Sequence, residues 1–268
     1  MRVVGGAPGR GILASRGATM TRVLVTGMSG LIGGALRRRL EGRYALSALN
    51  RRPVPGVPTR QADIADLAAI EPAFADVDVV VHLAAVARGD APWEEVLRDN
   101  VIGTYNVFEA ARRAGVRRIV YASSGATVSG VERDAPYAAL VAGRGDAVGA
   151  WARLTHEAPP RPAGLYGCSK LWGEALGRHY ADTHGLSVLC VRIGAVNAAD
   201  RPTAPRHFAV WCSQRDVAQM LERCILAPAD VRFDVLYAVS DNRWGYRDLA
   251  HARRVVGFEP ADRAEDHR

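Results

Sequence analysis

Two side chains that can move a proton together, Tyr166 and Lys170, stand four positions apart in an amphipathic run that continues to His184. On a helix, residues four positions apart share one face, so the phenol and the ammonium come close together. A free tyrosine is a weak base near neutral pH because its pKa is about 10, and a neighbouring cation favours the phenolate. The spacing therefore predicts Tyr166 as a general acid/base and Lys170 as the group that activates it.

A glycine-rich turn lies much earlier in the chain, between a short apolar run at residues 23–25 and a segment with helical spacing of leucines. Its glycines allow the backbone to approach a pyrophosphate, and the N-terminus of the following helix favours the negative charge. We therefore predict a dinucleotide site at this turn. The predicted contacts are Gly27, Ser29, Gly30, Leu31, Ile32 and Gly33.

Strand-like and helix-like segments alternate, which predicts an α/β fold: a Rossmann-type, doubly wound parallel sheet with a small C-terminal substrate lobe. Predicted strands cover residues 22–26, 45–49, 77–81, 119–122, 188–192 and 235–239, with a short one ending near Ala62. Predicted helices cover residues 31–41, 67–74, 93–114, 167–184 and 248–256, and another begins near Asp216 as its N-cap. We expect one domain over residues 21–268. Residues 1–20, rich in Gly, Arg and Ala, are interpreted as a disordered leader or as the result of a start site assigned too early.

One long connection, residues 130–161, loses clear periodicity and contains several glycines and prolines. Such a stretch is typical of a functional lid or a disordered loop, and a short helix could lie within residues 138–152. We predict that the substrate side of the domain is formed by about residues 125–162, 195–215 and 240–268.

Charge and cysteine content limit the classes of protein to consider. The 268 residues carry a formal net charge of +7, and the arginine runs flank predicted helices, which is typical of a solvated surface. No segment resembles a nucleic-acid module, so an anionic ligand is the simpler interpretation of any functional charge. Four scattered cysteines without metal-ligand spacing indicate reduced thiols in the cytoplasm and no metal site. No apolar run approaches the roughly 18 residues of a membrane span.

The two motifs, in this order and at this separation, resemble those of the short-chain dehydrogenase/reductase superfamily. The glycine spacing, Thr-Gly-x-x-Gly-x-x-Gly, is similar to that of its extended branch, the NAD-dependent epimerase/dehydratase-like proteins. Within that branch, the second half of the chain looks like the uronate dehydrogenases and related sugar dehydrogenases. The segments that carry this likeness are residues 162–170, 191–194, 206–211, 240–244 and 256–262.

The resemblance implies roles for further residues. Lys170 would also hold the nicotinamide ribose hydroxyls, and Ser124 would complete the catalytic group, while Ser124, Gly125 and Arg206 would contact substrate. Arg206 falls where an arginine of the uronate dehydrogenases holds the substrate carboxylate, which a guanidinium can grip through two hydrogen bonds. The alternative is an arginine paired with a surface carboxylate. The further cofactor contacts implied are Asp63, Ile64, Leu83, Ala84, Ala85, Asn100, Ser123, Tyr166, Lys170 and Ile193.

The end of the second strand bears on the choice of cofactor. An acid there would bind the ribose diol of NAD, whereas an arginine accommodates the 2′-phosphate of NADP. The chain has Asn50, Arg51 and Arg52 and no acid, which favours NADP over NAD as the bound cofactor. The alternative is a solvated arginine pair that takes no part in binding.

Several positions depart from the pattern of the uronate dehydrogenases. Gly125 stands where the catalytic serine of the common pattern falls, so Ser124 is the nearest substitute. The alternative is that Ser123 and Ser124 only end the strand and contact cofactor. Gly125, Ala87 and Ala195 replace polar residues of that family, which indicates a less polar or differently shaped substrate.

These features predict a cytoplasmic NAD(P)-dependent oxidoreductase that transfers a hydride between nicotinamide and an alcohol or carbonyl of a small sugar-like substrate, a uronate or another polar compound. Fewer than about 100 residues follow Lys170, and this small lobe disfavours nucleotide-sugar epimerases. One alternative is a sugar epimerase or dehydratase with tightly bound NAD; another is a non-catalytic, cofactor-sensing protein. We expect a homodimer or another homo-oligomer that binds a small molecule and neither nucleic acid nor membrane.

Overall fold

Seven parallel strands form one sheet in the computed structural model, which describes residues 20–267. The order across the sheet is β3-β2-β1-β4-β5-β6-β7, so the winding reverses between β1 and β4. The strands are β1 Arg22–Thr26, β2 Ala45–Asn50, β3 Thr59–Gln61, β4 Val79–His82, β5 Arg118–Ser124, β6 Ser187–Ile193 and β7 Phe233–Ala238. The predicted doubly wound α/β fold is confirmed. The predicted leader falls, apart from Met20, outside the described residues.

Helices lie between these strands and after β7, and all but α7, which was not predicted, coincide with predicted helical segments. They are α1 Leu31–Leu40, α2 Leu67–Ile70, α3 Trp93–Glu95, α4 Gly103–Arg113, α5 Tyr137–Val141, α6 Leu165–His184, α7 His207–Val210, α8 Gln214–Ile225 and α9 Ala250–Val256. A π-helical stretch, Val96–Ile102, joins α3 to α4, so the predicted helix over 93–114 is not a regular α-helix throughout. Across residues 20–267, none of the helices has both the length and the apolar character needed to cross a bilayer.

The central strands are buried on both faces of the sheet, which explains their nearly continuous apolar sequences. In β4, Val79 and Val81 belong to one apolar layer, together with residues of α1 and α8, whereas Val80 belongs to the opposite layer with residues of α4 and α6. The alternation follows from the period of two along a strand. Helices on both faces therefore hold the carboxyl edge of the sheet in place.

The predicted N-cap Asp216 is wrong. Helix α8 begins at Gln214, and the Ser213 hydroxyl accepts a hydrogen bond from the Asp216 amide at 3.0 Å. The Asp216 carboxylate is buried and accepts a hydrogen bond from the Ser240 hydroxyl at 2.6 Å. Serine and aspartate are both favourable caps, so their order along the chain did not identify the cap.

Three segments outside the sheet pack together beside its carboxyl edge. Their shared apolar cluster contains Leu140 from α5, Ala209 and Val210 from α7, and Trp244 and Tyr246 from the connection between β7 and α9. Each of the three segments predicted for the substrate side contributes to this cluster. The connection over 130–161 is thus folded onto the domain, and the short helix expected within residues 138–152 corresponds to α5.

Candidate active site

Two adjoining cavities open at the carboxyl edge of the sheet, around the switch point between β1 and β4. Ligands of open α/β sheets bind at this edge. The cavity next to β5 and β6 has a volume of about 510 Å³, and we call it the β5 cavity; the cavity next to β2 has about 630 Å³, and we call it the β2 cavity. Both are lined by Gly27, Gly30, Leu83 and Ala85, so one elongated ligand could cross between them.

The glycine turn after β1 forms the ridge between the two cavities. Gly27 has a φ of +72°, in the left-handed region, and a Cβ at this position would lie 2.8 Å from the Ala84 amide nitrogen. The Thr26 hydroxyl accepts a hydrogen bond from that same amide at 3.1 Å, which fixes the loop after β4 against the turn. Because backbone rather than side chain forms the ridge, a pyrophosphate can approach the N-terminus of α1.

The β2 cavity is lined by many of the residues predicted to contact the dinucleotide. Besides the four shared residues, they are Ser29, Asn50, Arg51, Arg52, Asp63, Ile64 and Ala84. The Asn50 side chain is buried, and its Oδ1 atom has no hydrogen-bond partner among the described residues. A buried acceptor without a partner is costly, so this atom fits a ligand hydroxyl such as that of a ribose.

The two arginines at this cavity are not fixed by strong pairing. The Arg51 side chain is 71% exposed, and its Nη1 lies 3.7 Å from the Asp99 carboxylate, while Arg52 is exposed. Asp99 also lines the β2 cavity, so the charge near the Asn50 side chain is mixed. A role for Arg51 and Arg52 in binding a 2′-phosphate therefore stays a prediction.

The β5 cavity brings the predicted catalytic side chains to one wall. Tyr166 and Lys170 belong to the first turns of α6, and Ser124 ends β5. Burial raises the pKa of the Tyr166 phenol, and a hydrogen bond with the Ser124 hydroxyl acts in the opposite direction. The Lys170 Nζ lies 5.6 Å from the centroid of the Tyr166 ring. A phenol, its hydrogen-bond partner and a lysine amine thus face the same space.

Lys170 is the only lysine in the sequence and is almost completely buried. Burial lowers its pKa from 10.5 to about 7. Its Nζ also lies 5.0 Å from the centroid of the Tyr121 ring, within the range of a cation–π contact. Both charge states are therefore accessible near neutral pH, and an anion that enters the cavity would favour the charged one.

Ser123 and Ser124 have different partners. The Ser123 hydroxyl donates to Glu174 Oε1 at 2.6 Å, and the Arg192 guanidinium binds both oxygens of the same carboxylate at 2.8 Å. This buried network ties β5 and β6 to α6 and leaves Ser124 as the hydroxyl beside Tyr166. The other predicted contacts that line the β5 cavity are Leu31, Ile32, Gly33, Gly125, Ile193 and Arg206, and Ser123 lines it as well.

Asn100, predicted to contact cofactor, lines neither of the two cavities. It is buried in the π-helical stretch, where its Nδ2 donates to the Val86 carbonyl at 2.9 Å and to the Ser169 hydroxyl at 3.0 Å. Its Oδ1 accepts from the Val86 amide at 2.8 Å. Asn100 therefore links the loop after β4 to α6 and positions the helix that carries Tyr166 and Lys170.

His82 is buried at the end of β4, between two hydroxyl groups. Its Nδ1 lies 2.7 Å from the Thr26 Oγ1, and its Nε2 lies 3.2 Å from the Thr104 Oγ1. Burial, together with the positive charge of Lys170, lowers the pKa of His82 to about 3. The ring stays neutral at physiological pH and links the end of β4 to β1 and α4.

Arg206 lines the β5 cavity, but its guanidinium is already paired. Its Nε and Nη2 donate to the two carboxylate oxygens of Glu132 at 2.6 and 2.7 Å. The Tyr246 hydroxyl donates to the same carboxylate at 2.6 Å. Burial acts to raise the pKa of Glu132, but the Arg206 guanidinium holds that pKa below its usual value. Arg206 is thus paired with a carboxylate, as in the alternative interpretation, but this carboxylate is mostly buried and does not lie at the surface. The substrate role of Arg206 stays a prediction.

Arg247, which no sequence motif marks as a site residue, is 2% exposed and lines the β5 cavity. Its Nη2 lies 3.4 Å from the carbonyl oxygen of Gly125, which is 122 residues away in the chain. No local spacing signals such a contact, because one arginine among many resembles a surface residue. The sequence feature that pointed to a group from elsewhere in the chain was Gly125, because a glycine in place of a polar side chain leaves space that another side chain can fill.

Three side chains of types that can bind a metal ion lie close together near β7. His156, Asp234 and His251 offer atoms within 4.8 Å of one another. Both nitrogens of His251 are already hydrogen-bonded, with Nε2 2.6 Å from the Asp234 Oδ1 and Nδ1 2.7 Å from the Arg254 Nη2. The nearby guanidinium disfavours a cation, and the expectation that no metal is bound stays a prediction.

The chain is similar to dehydrogenases of three different sugars. The NAD-dependent glucose-6-phosphate dehydrogenase of Haloferax volcanii is 35% identical over 254 residues, covering 91% of this chain and 94% of that protein. The L-arabinose 1-dehydrogenase (NAD(P)(+)) of the same organism is 35% identical over 253 residues, covering 91% and 97%. A crystal structure of uronate dehydrogenase from Agrobacterium tumefaciens superposes with a TM-score of 0.77 at 34% identity, covering 92% of this chain and 86% of that one.

The family pattern itself extends over most of the chain. Residues 23–239 match the description "NAD dependent epimerase/dehydratase family", from the first strand to the end of the last one. This span includes the glycine turn, both cavities' central walls and the Tyr166 helix. The protein therefore belongs to the NAD-dependent epimerase/dehydratase family, the extended branch of the short-chain dehydrogenases/reductases.

Proposed function

We propose that this protein is an NAD(P)-dependent dehydrogenase that oxidises a hydroxyl group of a small sugar or sugar acid, or reduces the corresponding carbonyl. The observation that carries the proposal is that Tyr166, Lys170 and Ser124 line the same cavity as the glycine turn. A proton-transfer group beside a dinucleotide site is the arrangement that hydride transfer to or from a carbon–oxygen bond requires.

The residues present fit a dinucleotide. The Gly27 ridge leaves space for a pyrophosphate, and the unpartnered Asn50 Oδ1 offers an acceptor to a ribose hydroxyl. Ile64 and Asp63 would hold the adenine end in the β2 cavity, and Lys170 would hold the nicotinamide ribose. When bound, the nicotinamide ring supplies the acceptor or donor of the hydride.

The chain's own residues manage the proton. The Tyr166 oxygen accepts the proton of the substrate hydroxyl during oxidation and returns it during reduction. The charged form of Lys170, 5.6 Å from the phenol ring centroid, favours the phenolate, and the Ser124 hydroxyl donates to the substrate oxygen or to the phenolate. Asn100 and Glu174 keep α6 in register with the sheet, so that the three groups meet at one wall.

Three named relatives support a sugar as substrate. They act on glucose 6-phosphate, L-arabinose and uronate, and each shares about a third of its sequence with this chain over nearly its whole length. The three substrates differ in charge and size, so the names support the class and leave the individual sugar open. Both NAD and NADP are proposed as cofactors, with NADP preferred because of Arg51 and Arg52.

The test is an assay of reduced nicotinamide over a panel of hexuronates, hexose phosphates, hexoses and pentoses, with NAD and with NADP. We expect steady reduction of added cofactor with at least one sugar. Tyr166→Phe should lower kcat by about 10²–10⁴-fold and leave cofactor affinity nearly unchanged, because only the proton-transfer oxygen is removed. Tyr105→Phe, at an exposed tyrosine on α4, is the matched control. Interconversion of sugars without net reduction of cofactor would instead identify an epimerase, and cofactor binding with no turnover on any sugar would favour the cofactor-sensing alternative.

A further inference from the structure

Arg247 is a buried cation whose hydrogen-bonding capacity is largely unused. Its Nη2 makes two long contacts, at 3.4 Å to the Gly125 carbonyl and at 3.4 Å to the Tyr246 hydroxyl. Its Nε and Nη1 are buried and have no partner among the described residues. A guanidinium offers five donors, and leaving buried charged donors unpaired is costly. The side chain also lines the β5 cavity, where an anionic ligand would meet a buried cation with unused donors.

A carboxylate in the region of Arg247 is bound by other side chains. Glu132 is the carboxylate of this region, and it already binds Arg206 through both oxygens and Tyr246 through one. The described residues form no ion pair with Arg247, whose Cζ atom lies 5.2 Å from the centroid of the Tyr246 ring. The paired cation is Arg206, and the one with unpaired donors is Arg247.

Gly125 has no side chain because Arg247 occupies the space that a side chain would need. A Cβ at Gly125 would lie 2.7 Å from the Arg247 Nη1 and closer still to the Nη2 and Cζ atoms. Any larger residue at position 125 would have to displace the guanidinium. The loss of a polar side chain at this position and the presence of Arg247 in the cavity are thus one coupled feature.

We propose that Arg247 binds an anionic group of the substrate, a carboxylate or a phosphate, and that Gly125 is required to admit its guanidinium to the cavity. The inference rests on the proposed dehydrogenase function and specifies its substrate class. Gly125 directly follows Ser124, so the bound anion would lie on the β5 side of the cavity. Arg206, held by Glu132, positions Tyr246 and the wall around Arg247 rather than gripping the anion alone.

Steady-state kinetics on the full chain test this assignment with a hexuronate, a hexose 6-phosphate and the corresponding neutral hexose. The wild type should prefer one of the two anionic sugars, and the ratio between them distinguishes carboxylate from phosphate as the natural group. Arg247→Met should raise KM for that sugar by about 10–100-fold, the effect of one charge-assisted hydrogen-bonding group, and alter KM for the neutral hexose little. Arg253→Met, at an exposed arginine of α9, should change neither value.

A double-mutant cycle tests whether Gly125 and Arg247 affect substrate binding through the same contact. Gly125→Ser should reproduce the KM defect of Arg247→Met, and adding Gly125→Ser to Arg247→Met should cost little more, since the guanidinium is then absent. Arg247→Lys keeps a positive charge and should recover part of the preference. Calorimetric titration of each sugar into the cofactor-loaded proteins gives the same comparison without turnover.

The outcomes separate the two proposals. Equal losses on neutral and anionic sugars in Arg247→Met, unchanged binding of the anion, or independent effects of the two substitutions would each overturn the anion-binding role and leave the dehydrogenase function standing. Absence of turnover on every sugar would overturn the dehydrogenase function, and in that case the calorimetric difference between wild type and Arg247→Met still decides the anion-binding role.

Discussion

The two ends of the site are built in opposite ways. The proposed cofactor end is built around one local motif, the glycine turn from Gly27 to Gly33, whose shape is set by backbone, and the segments after β2, β3 and β4 complete it. The proposed substrate end involves Glu132, Arg206 and Arg247, which come from three separate segments; Glu132 forms an ion pair with Arg206, and Arg247 makes two long hydrogen bonds. A turn shaped by backbone suits a cofactor whose shape does not vary. A site made of separate side chains can be altered by single substitutions.

Position 125 shows how such a change is accommodated. The bare backbone at Gly125 leaves a volume next to β5, and the Arg247 guanidinium, from 122 residues later in the chain, occupies it. The fold need not change, because the cluster of Leu140, Val210 and Trp244 supports the loops from behind.

Among the substitutions that affect the proposed cofactor end alone, Gly27→Ala should have the largest effect. A Cβ there meets the backbone of Ala84 at 2.8 Å, and φ of +72° is unfavourable for alanine. Left-handed strain and displaced backbone together should lower the free energy of unfolding by about 2–4 kcal/mol and severely weaken cofactor binding. Chemical denaturation and calorimetric titration measure both effects. Gly149→Ala, where a Cβ meets open space, is the control and should stay near wild type. Wild-type cofactor affinity in Gly27→Ala would show that the turn does not form the pyrophosphate site.

The same contrast explains what the sequence could reveal. The spacing of Gly27, Gly30 and Gly33 predicts a turn geometry directly. The proximity of Tyr166 and Lys170 follows from the helical period, so local sequence is enough to predict both features. Arg247 could not be found in this way, because its place depends on a contact over 122 residues. Asn100 was associated with the cofactor by resemblance, but its hydrogen bonds direct it to Ser169 and the loop after β4.

A second prediction concerns the pKa of Lys170, which lies between the proposed cofactor and substrate ends of the site. Burial lowers the pKa of Lys170 to about 7, so between about pH 7 and pH 10.5 the folded protein holds it neutral while the unfolded chain holds it charged. Below about pH 7 both states are charged and the full cost of burial applies; that cost falls as the pH rises. Lys170→Met removes the titrating group and should abolish turnover. It should also stabilise the cofactor-free protein more near pH 7 than near pH 9, by about 2 kcal/mol.

Denaturation curves of both proteins at the two pH values measure this difference, which does not depend on how well the methionine packs. Because Lys170 is the only lysine, selective isotope labelling of lysine gives a single side-chain signal whose titration reports its pKa without assignment. An equal stability difference at both pH values, or a titration near pH 10.5, would contradict burial of the charge. A wild-type rate in Lys170→Met would remove Lys170 from the activation of Tyr166.

The smallest expected effect lies at the outer edge of the cofactor end, where no backbone motif determines the outcome. Replacing both Arg51 and Arg52 by alanine should weaken NADP binding by about tenfold and leave NAD nearly unchanged, since each guanidinium would contact only the 2′-phosphate. The effect is modest because Arg51 is 71% exposed, and added salt should reduce it further. Calorimetric titration with both cofactors measures it, with Arg60→Ala on β3 as the control. Equal affinities of the wild type for NAD and NADP would leave the pair as solvated surface charge. In that case the mixed charge from Asp63 and Asp99 at the same cavity, rather than the missing acid at Asn50, would determine which cofactor the enzyme accepts.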